Sequence, residues 1–361
     1  MKALVQTDVE TLELRDVDDP APGEGEVLVR VAACGICGSD MHAFLGHDAR
    51  RPTPIVLGHE AAGTVVDGDD DLPAGTRVTI NPLVACGTCE SCVRGRENLC
   101  AARQIISMPP RPGAFAPLIA MPKANLVPVP DDVPFERAAL VEPLACGWHA
   151  VRLGRQALDR VLAGLPCVVI GGGAIGVGAA LALREQGADD VVLVEPNALR
   201  REYLRGMEGF RVVEAEDLSA GEVALVVDAA GYAATRAEAC RLVRPGGVIA
   251  HIGLAEAEGG LDVRRMTLAE ITFIGTYTFT AKDFRDAAAA IFEGRMGALD
   301  WTERRPLAEG AAAFEDIRNG RVAAPKVILE PAAAPAPTDP EGDPAREPGP
   351  DPAPEPAPEP E

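Results

Sequence analysis

The chain has 361 residues, 47% of them hydrophobic, and carries a formal net charge of −21. That length exceeds one ordinary domain and that apolar share suffices for sizeable cores, so two domains plus a tail are expected. The acidic balance argues against nucleic-acid binding, which needs a basic face. No stretch approaches the apolar length of a membrane span, and Met1-Lys-Ala-Leu-Val-Gln begins as a strand without a secretory pattern, so a cytoplasmic protein is expected.

From Met1 to about Ala150 the chain is rich in short alternating runs, such as residues 27–31, 63–66 and 77–80, broken by Gly and Pro. They read as a β-barrel-like unit. Within it, Cys37-Gly-Ser-Asp-Met-His42 is followed by Gly58-His59-Glu60. Zinc accepts thiolate, imidazole and carboxylate, and a catalytic site needs three protein ligands and one open position. Cys37 and His59 are the first two candidate ligands. Asp40 is suited to hold a ligand imidazole through its second nitrogen, fixing the tautomer. Ser39 and His42 supply a hydroxyl and an imidazole, the parts of a proton path from a bound alcohol to water.

Cys86, Cys89, Cys92 and Cys100 follow as C-x2-C-x2-C-x7-C in a polar, glycine-bearing lobe spanning 86–100. Four thiolates close a tetrahedral shell, so a structural zinc is expected. A bacterial ferredoxin run opens the same way, but its fourth cysteine comes after three residues and precedes proline, whereas Cys100 comes after seven and precedes Ala101. A disulfide framework is the other reading, and the size of the chain and its lack of a secretory start weigh against it. Packing accounts for Cys34, Cys167 and Cys240.

Residues 151–280 alternate strand and helix patterns, with strands at 168–170, 191–194, 225–227, 248–252 and 271–274, the pattern of a parallel doubly wound α/β sheet. The first strand runs into Gly171-Gly-Gly173-Ala174-Ile175-Gly176 and an alanine-rich helix. Gly171 allows the tight turn, Gly173 lets backbone approach a pyrophosphate, and Gly176 lets helix pack on strand. Glu195 ends the second strand, 19 residues past Gly176. A carboxylate there accepts hydrogen bonds from ribose hydroxyls and repels a 2′-phosphate, which favours NAD over NADP. Arg200 and Arg201 would oppose this if turned inward, and are read first as solvated helix-face charges. A helix at 283–293 and a strand at Lys326–Glu330 are expected to return to the first unit across residues 281–330. From Pro331 to Glu361, twelve prolines and eight acidic residues against the single Arg346 leave a net charge of −7. Such a segment buries too little apolar surface to order itself, so a solvated tail is expected.

Five motifs in one order, Cys34-Gly-Ile-Cys-Gly-Ser-Asp-Met-His42, Gly58-His-Glu-Ala-Ala-Gly63, the four-cysteine lobe, Val141-Glu-Pro-Leu144 and Gly171 to Gly176, resemble the zinc-containing medium-chain alcohol dehydrogenases. The resemblance runs from Met1 to Glu330. It implies a GroES-like β-barrel catalytic domain, a Rossmann domain, an active site in the cleft between them, two zinc ions per chain, and a homodimer or homotetramer. Glu142-Pro-Leu144 resembles the sorbitol and idonate, or polyol, branch. Where ethanol-type members carry a third cysteine ligand, this chain has Glu142, and Glu60 is the other candidate for the third ligand. Cys146 falls beside the expected nicotinamide and outside the shell. His149 is read as packing at the domain boundary, and His47 and His251 as surface and loop residues.

The resemblance further implies oxidation of a secondary alcohol, the proton leaving through Ser39 and the cofactor ribose to His42, and hydride passing to Arg200- and Glu195-bound NAD. The polyol members' substrate-contacting arginine beside an aromatic is replaced here by Thr278-Phe279. Arg50 and Arg51 offer a cation for a sugar-acid carboxylate, with surface loop charge as the preferred reading. Two other classes remain: a zinc-free NADPH-dependent quinone or enone reductase, which would lack Cys37, His59 and the lobe, and a non-catalytic zinc or nucleotide-binding protein, which has no need of Ser39 and His42.

Overall fold

The computed structural model describes residues 1–331, so the expected tail, apart from Pro331, lies outside the described residues. Strand Glu26–Gly35 buries Val27, Val29 and Val31 while Arg30 faces water, the period of two that puts one face of a sheet on a core. It pairs antiparallel with Glu60–Asp67, Leu118–Pro122 and Lys326–Glu330. The sheet continues through Arg77–Ile80 to Leu126–Pro128 on one side and to Thr302–Pro306 on the other. Val29, Val31, Ile80, Phe115, Met121, Phe314 and Leu329 fill its interior. Because Ile328 pairs with Gly35 and Leu329 with Cys34, the last described strand lies beside the segment that opens the Cys37 motif.

The second sheet is fully parallel, in the order Arg211–Val213, Asp190–Val194, Pro166–Ile170, Val223–Asp228, Val243–His251, Thr272–Gly275. Its central strands are hydrophobic throughout because both faces are covered. Cys167, Val169, Leu193, Leu225, Val227 and Ala250 face helices Val141–Leu158, Ala174–Glu185 and Ala281–Phe292. Val168, Ile170, Val192, Val194, Val226 and Ile249 face helix Ala233–Leu242. The strand order reverses between Pro166–Ile170 and Val223–Asp228, and sheets of this kind bind ligands in the crevice at the carboxyl ends there.

Several element boundaries differ from the sequence reading, two of them for evident local reasons. The strand expected at 248–252 begins at Val243, which pairs with Val223 ahead of an irregularity in register. The helix expected at 283–293 begins at Ala281 because Thr280 caps it: Thr280 Oγ1 accepts the Asp283 amide at 3.1 Å, and the Asp283 carboxylate accepts the Thr280 amide at 3.2 Å.

Helix Val141–Leu158 lies against helix Ala174–Glu185 at backbone contact. A Cβ on Gly147 would sit 2.5 Å from the Ala179 nitrogen, so only glycine permits this approach. The element bearing Glu142 is thereby held to the element that follows the glycine turn.

Candidate metal centre and cofactor cleft

Cys37 caps helix Gly38–Phe44, and the Asp40 carboxylate accepts the Cys37 amide at 3.0 Å in a reciprocal cap. Asp40 is fully buried; its Oδ1 accepts the Gly58 amide and lies 3.3 Å from His59 Nδ1. Burial alone would raise the Asp40 carboxyl, but the His59 imidazole, the Arg51 guanidinium and the Cys37 amide outweigh it and hold it at about 2. The Asp40–His59 contact is not aligned as a hydrogen bond, and Nδ1 has no other partner among the described residues. Nδ1 faces the carboxylate, so Nε2 is the nitrogen available to a metal.

Glu60 opens strand Glu60–Asp67 directly opposite Gly35. Lys326 Nζ donates to Glu60 Oε1 at 2.6 Å and to the Ile36 carbonyl at 2.8 Å. The second oxygen, Oε2, is buried without a partner among the described residues. A Cβ on Gly35 would fall 2.0 Å from that oxygen, so Gly35 makes the room it occupies. Ligating atoms of Cys37, His59 and Glu60 converge within 4.8 Å of one another. A thiolate, an imidazole and a buried, unpartnered carboxylate oxygen suit zinc in both chemistry and number. Glu142 is buried nearby but is not one of the converging atoms. Burial pushes its carboxyl up to about 7, with His59 opposing and Glu60 adding to the shift.

In the lobe the four sulfurs also lie within 4.8 Å of one another. The Cys86–Cys92 separation is 3.9 Å, and Cys89–Cys92 and Cys100–Cys86 are each 3.5 Å. Zinc–sulfur bonds of about 2.3 Å in a tetrahedron space sulfurs at about 3.8 Å, so the group fits a closed zinc shell. The Thr88 and Cys89 amides, with the Thr88 hydroxyl, bring the Cys86 thiol down to about 6. The lobe also grips the chain leaving the parallel sheet: Asn98 Nδ2 donates to the Tyr277 carbonyl at 2.7 Å, and Glu97 accepts the Ala281 amide at 3.3 Å.

At the glycine turn, Gly171 has φ 106°, a Cβ on Gly176 would lie 1.8 Å from the Gly171 carbonyl, and a Cβ on Gly173 would meet nothing within 4 Å. The open space over Gly173, at the start of helix Ala174–Glu185, is where a pyrophosphate fits. Ala174 and Ile175 form that first turn. Glu195 is buried; its Oε2 accepts the Gly172 amide at 2.8 Å and its Oε1 the Asn197 amide at 2.7 Å. The carboxylate thus braces the glycine turn as well as standing at the strand end.

Three charged positions differ from their sequence reading. Arg201 is not a solvated helix-face charge: it donates to the Glu195 and Pro196 carbonyls and pairs with Glu214 at 2.6 Å. Arg200 reaches the Val322 carbonyl at 3.2 Å. Arg50 is exposed and paired with Asp48, whereas Arg51 is buried against Ser39. His251 is half-buried at the end of strand Val243–His251, with Nδ1 3.0 Å from Asp228. His149 is buried and 2.7 Å from Asp283. Sequence reasoning misses Lys326 as a site residue, reads Gly35 only as part of the Cys34 to His42 motif, and weighs Arg51 only as a loop charge or a cation for substrate, not as a partner of Ser39. The only trace of Lys326 in the sequence is a lysine opening an otherwise apolar strand, and nothing local marks the other two.

Residues 23–131 match the family model for the alcohol dehydrogenase GroES-like domain, and residues 174–293 match that for zinc-binding dehydrogenase. L-galactonate-5-dehydrogenase of Escherichia coli (strain K12) is 33% identical over 336 residues, covering 89% of this chain and 96% of its own. The chain belongs to the zinc-containing medium-chain dehydrogenase family. It is an alcohol dehydrogenase with the GroES-like and Rossmann folds of that family. Acetophenone reductase of Geotrichum candidum NBRC 4597, solved with NAD, superposes with TM-score 0.81 at 26% identity, covering 91% of this chain and 96% of that one. A Sinorhizobium meliloti 1021 protein described as a zinc-binding dehydrogenase, solved with NADP, superposes with TM-score 0.79 at 28% identity, covering 91% and 99%.

Proposed function

We propose that this dehydrogenase oxidises the secondary alcohol of a polyol, sugar acid or diol to a ketone with NAD, using two zinc ions per chain. The observation that carries the reading is the convergence of Cys37, His59 and Glu60 with an unpartnered Glu60 oxygen. Glu60 is the third ligand and Glu142 stands beside the centre, its raised carboxyl suited to hold water or substrate hydroxyl. The four-cysteine lobe holds the second, structural ion. Zinc in the open site would supply a Lewis acid that acidifies a substrate hydroxyl, and NAD would accept hydride.

The remaining work falls to the chain. Ser39 takes the substrate proton and passes it toward His42, which lies three residues on along helix Gly38–Phe44, on the same face, and is half-exposed to water. Asp40 orients His59. Glu195 favours the ribose diol and opposes a 2′-phosphate, with Gly171, Gly173, Ala174, Ile175 and Gly176 receiving the pyrophosphate and Arg200 beside the ribose. The sugar-acid class is supported by the galactonate relative.

Residues 1–150 with 281–330 form the catalytic unit and 151–280 the nucleotide unit, a division supported by the pairing of Lys326–Glu330 with Glu26–Gly35. A homodimer or homotetramer is supported by strand Thr272–Gly275, whose outer edge pairs with no strand among the described residues and which a second copy would cover. A cytoplasmic location is supported by four cysteines arranged as metal thiolates, which a reducing compartment preserves. No helix among the described residues is long and apolar enough to cross a membrane.

The test is metal analysis combined with a panel of L-galactonate, L-idonate, sorbitol, L-threonine and 2,3-butanediol against NAD and NADP. Turnover of at least one panel alcohol that is lost with the open-site zinc supports the reading. No turnover of any of them by the two-zinc protein would overturn it.

A further inference from the structure

We propose that Arg51 is a positioning residue of the proton relay, a buried donor that fixes which way the Ser39 hydroxyl points. The inference rests on the relay reading of Ser39 and His42 given above. Arg51 follows an exposed arginine in a polar loop, yet its side chain is 2% exposed. A guanidinium buried that deeply costs several kcal/mol unless its donors are met, and its nearest carboxylate oxygen, Asp48 Oδ2, is 3.5 Å away. Asp48 is itself taken by Arg50, at 2.8 and 2.9 Å. Arg51 keeps that long ion pair and sends its close hydrogen bonds elsewhere: Nη1 to the Ser39 carbonyl at 2.6 Å and Nε to the Ser107 carbonyl at 3.0 Å, with Nη2 in a longer contact to Ser39 Oγ at 3.4 Å.

Ser107 supports this placement. It is fully buried and adopts a left-handed backbone, φ 65°, a conformation that costs of order 1 kcal/mol in a residue other than glycine and survives where the surroundings demand it. Its side chain earns nothing in return, since Oγ has no partner. What Ser107 contributes is a carbonyl aimed at Arg51 Nε.

The consequence follows from donor and acceptor counts. Ser39 Oγ has one hydrogen and two lone pairs, and a guanidinium donates but never accepts. With Nη2 on one lone pair, Ser39 retains one lone pair to receive the substrate proton and one hydrogen to give away. As the alcohol is oxidised, the substrate O–H bond breaks while a new Oγ–H bond forms. The original Ser39 hydrogen would leave toward His42, and bound NAD would take up the hydride with its electron pair from the substrate carbon. Ser39 ends neutral and Arg51 exchanges no proton. Arg51 removes the orientation in which the hydroxyl points back into the protein, where it would relay nothing.

The test is a double-mutant cycle with the panel alcohol of highest kcat/KM. Ser39→Ala alone should lower kcat by about 10²-fold, the usual weight of one proton-transfer group. Arg51→Gln should lower kcat by roughly tenfold while leaving alcohol KM, the NADH Kd by fluorescence titration and zinc content nearly unchanged, with Tm falling as its buried hydrogen bonds are lost, and Arg51→Lys, which keeps a cationic donor, should recover part of the kcat loss. In the Ser39→Ala background, Arg51→Gln should cost nothing further. If the two losses multiply, or if Arg51→Lys loses zinc or NADH affinity, Arg51 supports the loop only and the inference is overturned while the relay stands. If Ser39→Ala leaves kcat unchanged, the relay reading itself fails and takes the inference with it.

Discussion

Lys326 Nζ lies 2.6 Å from Glu60 Oε1 beside the candidate metal centre, 266 positions away along the chain. Both side chains are at most 4% exposed. The ammonium occupies one carboxylate oxygen, so in the proposed site Oε2 is the atom that Glu60 would present to a metal.

Replacing Lys326 with Met should therefore loosen the open-site zinc as well as destabilise the fold. Removing one partner of a buried pair costs about 3–5 kcal/mol, and altered support of a ligand typically costs about 10- to 100-fold in metal affinity. Competition with a chromogenic chelator should show that loss at the open site and none at the four-cysteine lobe. Gly35→Ala, whose Cβ would meet Glu60 Oε2, should weaken the same site. An unchanged affinity in both variants would show that Glu142, not Glu60, holds the metal.

The two zinc ions proposed for each chain should differ in lability. A chelator should strip the open, three-ligand site first and abolish turnover while circular dichroism stays native, and the closed cysteine shell should release its ion only later. One zinc per chain, or iron in the lobe, would contradict this.

Acid stability should depend on Asp283. Burial would raise its carboxyl, but His149, Arg152 and Thr280 outweigh that and hold it well below the ordinary carboxylate range. A group with a depressed folded pKa stabilises the native state fully above its unfolded value, near 4, and loses that contribution as pH falls through the folded value. Asp283→Asn should thus cost about 2–3 kcal/mol at pH 7 and progressively less as the pH is lowered below about 4. Thermal melts of both proteins from pH 7 down to pH 3 would reveal this convergence; parallel curves would exclude it.

Cofactor preference should turn on Glu195. Native enzyme should favour NAD over NADP by at least about tenfold, roughly 1.4 kcal/mol. Glu195→Ser should erase that preference. Because Glu195 also accepts the Gly172 and Asn197 amides, the variant should lose affinity for NAD as well as gain tolerance of NADP. Native preference for NADP in steady-state kinetics would show that Arg200 and Arg201 outweigh the carboxylate.

Local pattern was sufficient for much of this protein. Alternation along Glu26–Gly35, the apolar runs of the parallel strands, the strand–glycine turn–helix order around Gly171 to Gly176, and the spacing of Cys86, Cys89, Cys92 and Cys100 are short-range signals, because each reports a backbone conformation or a ligand geometry set within about twenty residues. Those signals were readable without any knowledge of what packs on what. The choice between Glu60 and Glu142 was not, because both are acidic residues beside apolar runs. Only the fold makes Glu60 one of the converging ligand atoms, opposite Gly35 and over Lys326. Arg50 and Arg51 are likewise adjacent and chemically identical, and one is paired at the surface while the other is buried against Ser39. Burial and partner are properties of contacts between distant segments, from Ser107 to Ser39 through Arg51 and from Lys326 to Glu60. A charged side chain in a linear sequence carries no mark of which distant group will meet it, so tertiary packing alone decides whether it is a solvated charge or part of a site.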